Sequence, residues 1–465
     1  MAEATPAPPS SGRGLWIAIA VVIVVVVVVV AAIFAAPLLF PAPRPVIGTV
    51  LPMTGDLEIF GPTMRLAVDL ARDEINDAGG VLGQTLTIVH EDSATDSQTG
   101  VTAAEKLIDV DGATAIIGAA ASTVSLPILE GVTSPGKVVQ ISPASTSPAF
   151  TDFNADLAED DRFFFRTAPS DALQGVAGAL WAFNDKGWRN VAILARADPY
   201  GQGLAAVFAD SFVALGGTIT ARVDYDITAT VFDTELTTIF ASNPEAVWWV
   251  AFPGEGELIM QDWWANPAWR GPAWLWSEGT KAQAFVDDLI GQGIDVTGME
   301  GTAPVTALAA LDNFETFSDA FENANPGEDL VLFEQQNYDA VYLIALAMQA
   351  GGSLDPQSIR DNLRAVSSPP GTVITPGEWG LALAQLALGN DVNYQGAAGF
   401  VNFDAFGDVG SDYEVWKIDE TTEQITQVAR IPEDDLTLSP PSPALISPSA
   451  GAMTLWAPQV GARWD

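Results

Sequence analysis

Two apolar runs decide the fold: AIIG at Ala115–Gly118 leads into AAASTVS at Ala119–Ser125, and VVQI at Val138–Ile141 leads into SPASTSP at Ser142–Pro148. Each run has the length and composition of a buried strand. In an open parallel α/β sheet, ligands bind just outside the carboxyl ends of the strands. Hydroxyls and free N–H groups there suit a carboxylate or a phosphate. Serine and threonine are also common in turns and helix N-caps, so either loop taken singly is compatible with both roles.

From Val46 onward, short apolar runs alternate with amphipathic segments, which is typical of βαβ units. The clearest helix is predicted over Gly61–Ala78, where apolar residues recur every three or four positions. Further strands are predicted at Val46–Leu51, Leu86–His90, Phe163–Thr167, Val191–Ala195, Ile219–Val223, Val247–Ala251 and Ala273–Trp276, and further helices around Ala172–Lys186, Gly203–Leu215, Glu255–Trp264, Asn337–Ala350 and Pro356–Val366. These elements exceed one ordinary doubly wound sheet, so an α/β protein of two lobes is expected.

The composition argues against an enzyme because residues and motifs that common catalytic sites require are absent. The chain has no cysteine and one histidine, His90, which excludes disulfides, thiolate zinc sites and a catalytic cysteine. No glycine-rich nucleotide-binding loop of either common type is present. A serine hydrolase would need His90 as its base, and that residue ends an alternating strand before two acids. The sequence therefore predicts no cofactor, no metal site and no enzyme activity.

The charge balance excludes one class of partner. The 465-residue chain has 59 acidic and 19 basic residues, giving a net charge of −40. Such a field repels nucleic acid and anionic membrane surfaces, and no basic stripe reverses it locally. No nucleic-acid partner is expected.

The segment Leu15–Phe40 is apolar and has no charged residue. At about 1.5 Å per residue it covers a hydrocarbon core of roughly 30 Å, whereas a secretory signal core has only about 7–15 residues. It therefore predicts an uncleaved transmembrane anchor, with a cleaved signal as the alternative. Residues 1–14 form a short tail and 41–45 a proline-rich spacer, so the soluble part is expected outside the cytoplasm, in the periplasm or at the cell surface.

An ordered set of short motifs resembles the periplasmic branched-chain amino-acid binding proteins, the type I solute-binding proteins of ABC importers. The motifs run from about Val46 to Ile418: VIGTVLP at 46–52, FG at 60–61, NDAGG at 76–80, SPAST at 142–146, FRT at 165–167, YGQG at 200–203 and SEG at 277–279. The resemblance implies two Rossmann-like lobes that are joined by three crossovers and close like a hinge. It places one lobe at 46–165 and 302–400 and the other at 166–301 and 401–425, and residues 426–465 are predicted to be a disordered tail because of their proline, serine and acidic content.

The resemblance also implies a ligand site. Ser122, Ala144 and Thr146 would hold the α-carboxylate of an amino acid, and Glu278 would take its α-ammonium. Charge-assisted contacts of this kind are stronger than neutral hydrogen bonds. Aromatic residues would surround the ligand side chain, and they fall on Phe60, Tyr200, Phe252 and Tyr338.

The function expected from the resemblance is capture of a branched-chain or similar apolar amino acid and its delivery to an ABC permease. A second possibility is the ectodomain of a sensor or receptor, although residues 1–14 are too short for an output domain. Urea or a short amide is a third, but neither has the ammonium that Glu278 would bind. An extracellular hydrolase is the fourth, and it needs a base near Ser122.

Overall fold

The structure, a computed structural model, describes residues 44–436. The predicted tail at 1–14, the anchor at 15–40 and most of the spacer at 41–45 lie outside the described residues, as does the chain after 436. Within the described part, no helix has the length and apolar character needed to cross a membrane.

The first sheet is fully parallel, as the βαβ pattern predicts. Its strands are β1 (Val46–Leu51), β2 (Thr87–Asp92), β3 (Ala115–Gly118), β4 (Val139–Ser142) and β5 (Phe164–Arg166), in the spatial order β2-β1-β3-β4-β5. Strands β3 and β4 are neighbours, with Ile117 opposite Ile141. Because parallel neighbours end at the same edge, the two hydroxyl-rich loops emerge side by side.

The second sheet has seven strands in the order β14-β13-β10-β9-β8-β6-β7. They are β6 (Asn190–Arg196), β7 (Thr218–Tyr225), β8 (Ala246–Val250), β9 (Ala273–Trp276), β10 (Glu300–Val305), β13 (Asp412–Ile418) and β14 (Ile425–Ile431). The pairs β10–β13 and β13–β14 are antiparallel, and the other neighbours are parallel. A small parallel pair, β11 (Thr372–Ile374) and β12 (Val392–Tyr394), stands apart from both sheets.

Fourteen α-helices flank the sheets in the described residues. They are α1 (Gly61–Asp77), α2 (Ser97–Asp109), α3 (Ser122–Ile128), α4 (Ser134–Gly136), α5 (Ala149–Ala155), α6 (Asp171–Leu180), α7 (Pro199–Ala214), α8 (Asp233–Ala241), α9 (Pro253–Ala265), α10 (Gln283–Gly291), α11 (Leu311–Ala324), α12 (Glu334–Gly351), α13 (Pro356–Ser367) and α14 (Trp379–Ala387). In α1 the periodic apolar residues predicted from sequence are buried on one face. Helices α11 to α14 pack in one core with the first sheet, which together form lobe 1. The second sheet and its helices form lobe 2.

The chain crosses between the lobes three times: after β5, after β10 and before β13. The crossovers are tied to one another, because the Tyr413 hydroxyl donates to the Ser170 carbonyl and the Thr306 hydroxyl donates to the Ala397 carbonyl. Strand β10 continues in the second sheet to Val305, and the segment around Phe403 packs in the core of lobe 1. The chain therefore leaves lobe 2 later than position 302 and returns to it later than position 401, the boundaries expected from sequence.

The expectation of a disordered tail from residue 426 is wrong for 426–436. Residues 425–431 form β14, which pairs antiparallel with β13 from Tyr413 to Ile418, and Glu433–Asp435 form a turn of 3-10 helix. The alternating ITQVARI sequence precedes the proline-rich and acidic stretch, so it retains the pattern of an edge strand.

Candidate ligand-binding site

A cavity lies between the lobes, where the carboxyl ends of the two sheets face each other. Lobe 1 contributes Leu57, Phe60, Met64, Ala120, Ser122, Ala144, Leu332 and Phe333, and lobe 2 contributes Tyr200, Phe252, Glu278 and Gly279. About 30 Å³ of it is open to the centre of a water molecule.

The lobe 1 side is a network of hydroxyls in which the two predicted loops hold each other. Ser145 Oγ donates to Ser125 Oγ at 2.7 Å, and the Ser147 N–H donates to Ser122 Oγ at 3.3 Å. Ser122 and Thr146 are buried. The Thr146 N–H has no acceptor among the described residues. This wall offers neutral donors and contains no ionised group.

The lobe 2 side contains two buried carboxyl groups. Glu278 follows β9, and Gln174 Nε2 donates to its Oε2 at 2.6 Å. Burial raises the pKa of Glu278 to about 7, against hydrogen bonds from Tyr200 and Gln174 that favour the charged form. Asp171 begins α6 and accepts from the Thr146 hydroxyl at 3.0 Å through Oδ2. Burial, and then the charge of Glu278, raise the pKa of Asp171 well above its ordinary value.

These two acids have no cationic partner. No arginine, lysine or histidine within residues 44–436 forms an ion pair with either carboxyl, and Oδ1 of Asp171 has no hydrogen-bond partner there. A buried charge without a partner is costly. The arrangement therefore favours a cation that arrives with the ligand.

Apolar and aromatic side chains close the rest of the cavity. Phe252 stacks on Tyr200 with ring centroids 5.2 Å apart, and the Arg196 guanidinium carbon lies 3.8 Å from the centre of the Phe252 ring. Gly279 allows this close packing, since a Cβ there would lie 2.6 Å from the Ala251 carbonyl oxygen. Phe333, at the start of α12, has φ +69° and lies buried against the cavity.

Six of the eight residues predicted from sequence line this cavity: Phe60, Ser122, Ala144, Tyr200, Phe252 and Glu278. Thr146 lies beside it, bonded to Asp171. Tyr338 does not line it, since its hydroxyl donates to Glu74 and its ring packs against Phe317 and Tyr342 in the core of lobe 1. An aromatic residue on an apolar helix face fits a core equally well, and the core is where the structure places it.

Sequence reasoning missed Asp171, Gln174 and Phe333. Asp171 and Gln174 lie three residues apart on α6, where apolar neighbours such as Val176 and Ala177 are buried with them. An acid and an amide on an otherwise apolar helix face were the available signal. No such signal indicates Phe333, because the loop before α12 has no sequence pattern that predicts which side chains face the cavity.

The single histidine lies away from the cavity. His90 Nδ1 is 2.8 Å from Thr49 Oγ1, and its Nε2 is 3.1 Å from Asp69 Oδ1. Ser122 Oγ accepts from the Ser147 N–H and has no histidine beside it in the described structure. The base required by the hydrolase alternative is therefore not in reach of Ser122.

Comparisons with known proteins concern the family and the fold. Residues 46–266 match the periplasmic binding protein family. A Leu/Ile/Val-binding protein homolog from Brucella suis is 25% identical over 68% of this chain and 80% of its own length. A chemotactic signal transduction system substrate-binding protein, BasB from Halobacterium salinarum, is 25% identical over 78% of this chain and 84% of its own.

The fold is also shared with a solved structure. The leucine-binding protein LivK from Thermotoga maritima is 24% identical, with a TM-score of 0.69 over 84% of this chain and 99% of that one. The fold is thus the two-lobed α/β fold that this leucine-binding protein also has. Residues 46–266 match the periplasmic binding protein family, and the relatives extend the similarity over much of the remaining chain, as the motifs suggested. Proteins of this family act outside the cytoplasm and are not enzymes.

Proposed function

We propose that the protein captures an amino acid with a branched or similar apolar side chain and delivers it to the permease of an ABC importer. One observation supports this proposal: the cavity has a neutral donor wall on the lobe 1 side, the buried acid Glu278 on the lobe 2 side and an apolar wall around them. A second buried acid, Asp171, lies near enough for the charge of Glu278 to raise its pKa. This pattern complements a zwitterion with an uncharged side chain.

The donor side suits a carboxylate. Ser122 Oγ can donate its own proton, and the free Thr146 N–H adds a backbone donor from the neighbouring loop. Hydrogen bonds to an ionised acceptor are about twice as strong as neutral ones. Ala144 has no side-chain donor, so its part is to bring the backbone close to the ligand.

The acid side suits an ammonium. A bound cation would compensate the buried charge of Glu278. Asp171 lies near enough for the charge of Glu278 to raise its pKa, so the same cation would act on both acids. Urea and short amides have no such charge. They would leave the two acids uncompensated, which makes them the poorer ligands.

The apolar wall suits the side chain. Phe60, Phe252 and Phe333 with Leu57 and Leu332 present no charged group to it. Both lobes line the cavity, so the ligand enters when the lobes part at the three crossovers and is enclosed when they return. An N-terminal anchor at 15–40 would keep this cycle at the membrane.

The proposal is tested by measuring the thermal unfolding of the full chain in mild detergent with each amino acid, leucinamide and urea at saturating concentration. Leucine, isoleucine or valine should raise Tm by several degrees, because ligands that bind only the folded state stabilise it. A rise with urea and none with any amino acid would contradict the proposal.

A second role is supported by one comparison. The relative from Halobacterium salinarum is named as a substrate-binding protein of a chemotactic system. The same ligand site would then report to a signalling partner. Deleting the gene separates the two roles: loss of amino-acid uptake indicates import, and loss of the chemotactic response with normal uptake indicates sensing.

A further inference from the structure

Arg166 is a buried cation that the ligand site does not use directly. It ends β5 with its side chain fully buried. Its Nη1 donates to the carbonyl oxygens of Ser145 at 3.3 Å and Ser147 at 2.9 Å. Both carbonyls belong to the loop that contains Thr146, so this one guanidinium spans the loop from behind.

The hold on Ser145 determines where the Thr146 N–H points. In a trans peptide the C=O and N–H bonds point in opposite directions. Because the Ser145 carbonyl faces Arg166, the N–H of the same peptide, which belongs to Thr146, faces away from Arg166. The next carbonyl, of Thr146, is fixed separately by the Asp171 N–H at 2.8 Å. The one unpaired backbone donor of this loop is therefore held in a fixed direction.

Arg166 is in turn fixed by the third crossover. Its Nε donates to Asp408 Oδ1 at 2.6 Å, and its backbone N–H donates to the Gly407 carbonyl at 3.0 Å. Thr151 Oγ1 bridges the two side chains, accepting from Arg166 Nη2 and donating to Asp408 Oδ2. A planar guanidinium can make all these bonds at once, which an ammonium cannot.

Resting on the proposed function, we propose that Arg166 is a positioning residue that sets the preference of the site for a carboxylate. It acts by aiming the Thr146 N–H, and it connects that donor to the third crossover through Asp408. It does not touch the ligand. Its effect should therefore appear in the choice between a carboxylate and an amide rather than in affinity for the rest of the ligand.

The experiment measures calorimetric affinities of the full chain for leucine and for leucinamide, which differ only at the carboxylate. Arg166→Lys keeps the positive charge beside Asp408 but loses the planar guanidinium that makes these bonds at once. We expect leucine to bind about tenfold more weakly and leucinamide to change less than about twofold. Arg162→Lys is the matched control, because Arg162 also donates to backbone carbonyls, of Asn154, Leu157 and Ala405, but not to the loop of Thr146. It should leave the ratio of the two affinities unchanged.

Equal losses for leucine and leucinamide in Arg166→Lys would overturn the positioning role and leave the proposed function standing. A wild-type protein that binds no amino acid would overturn the proposed function itself. If Arg166→Lys does not fold, a measurement on the wild-type protein tests the same inference. In wild-type protein labelled with ¹⁵N-threonine, the Thr146 amide proton should move downfield with leucine but not with leucinamide, and an equal response to both would refute the inference.

Discussion

The two sides of the cleft differ in charge: lobe 1 presents neutral hydrogen-bond donors, and lobe 2 contains buried carboxyl groups. On the lobe 1 side the serines of the two loops bond to one another and the Thr146 N–H stays free, so this side is nearly neutral without a ligand. The hydroxyls of Thr146 and Ser147 bond across to Asp171 and to the Pro199 carbonyl. The lobe 2 side buries Glu278 and Asp171 without an ion-pair partner among residues 44–436, so their ionised forms are costly until a cation arrives. Selectivity for a zwitterion can therefore be divided between the two lobes. Lobe 1 holds its hydrogen-bond donors in place before the ligand arrives, and lobe 2 contains buried acids whose desolvation cost the ligand's ammonium offsets.

The largest expected effect comes from neutralising the lobe 2 acid. Glu278→Gln should weaken amino-acid binding at least tenfold, about 1.4 kcal/mol, by removing the charge that pairs with the ammonium. The same change should make the ligand-free protein more stable at pH 8, because an uncompensated buried charge is lost. Calorimetry measures the expected loss of amino-acid affinity, and thermal unfolding measures the expected gain in stability.

Another acid of lobe 2 is the control for this change. Glu255 is equally buried but is paired with Arg196, and it also accepts from the Tyr225 hydroxyl at 3.0 Å. Glu255→Gln should lower the free energy of unfolding by about 3 kcal/mol because it leaves a buried charge less compensated. If both substitutions shift stability in the same direction, the contrast between paired and unpaired acids is wrong.

The acid side should also respond to pH. The pKa of Glu278 is raised from 4.5 to about 7 in the ligand-free fold, so the folded state holds a proton that the unfolded state has released. This group's contribution to stability is therefore complete below about pH 4.5 and is lost as the pH rises through about 7. Amino-acid affinity should rise over the same window as Glu278 ionises. The measured quantity is the difference in unfolding free energy between wild type and Glu278→Gln, and a difference independent of pH would contradict the assignment.

The donor side should give a smaller effect. Ser122→Ala removes one neutral hydroxyl, so a loss of about 0.5–1.5 kcal/mol in leucine affinity is expected. Leucinamide should lose less, since the hydroxyl bonds to the end of the ligand that differs. A loss as large as that of Glu278→Gln would show that the two halves are not divided as described.

The smallest effect is expected at Tyr338, which contacts neither side. Tyr338→Phe removes a hydroxyl that donates to Glu74 in the core of lobe 1, although Tyr342 still donates to the same carboxylate at 2.7 Å. Leucine affinity should stay within about twofold, with a loss of about 1 kcal/mol in the free energy of unfolding. A tenfold weaker affinity would return Tyr338 to the site.

Much of the scaffold was predictable from sequence because short apolar runs and turn residues specify parallel strands locally. Strands β1, β3 and β9 begin and end where the sequence predicted. Strands β13 and β14 were missed, since their antiparallel pairing depends on a chain that first passes through lobe 1 and then returns. Local patterns contain no information on that route.

Six residues that the resemblance indicated line the cavity, and four of them, Ser122, Ala144, Phe252 and Glu278, lie within four residues of the end of a strand. Asp171 and Gln174 approach from a helix after the first crossover. Phe333 immediately precedes α12, and Tyr338 follows it by five residues, about 1.4 helical turns. Which of those two rings enters the cleft depends on how α12 is docked, a property of packing that the spacing alone does not determine.

The tightness of the closed cleft has a kinetic consequence. Because residues of both lobes line the cavity, a bound amino acid leaves after the lobes separate. Residence time is then governed by the bonds that join the crossovers, such as Tyr413 to Ser170, and less by the fit of each side chain. Ligands of quite different affinity should share a common upper limit on their release rate. Removing the hydrogen bond from Tyr413 to Ser170 should raise that limit for all of them.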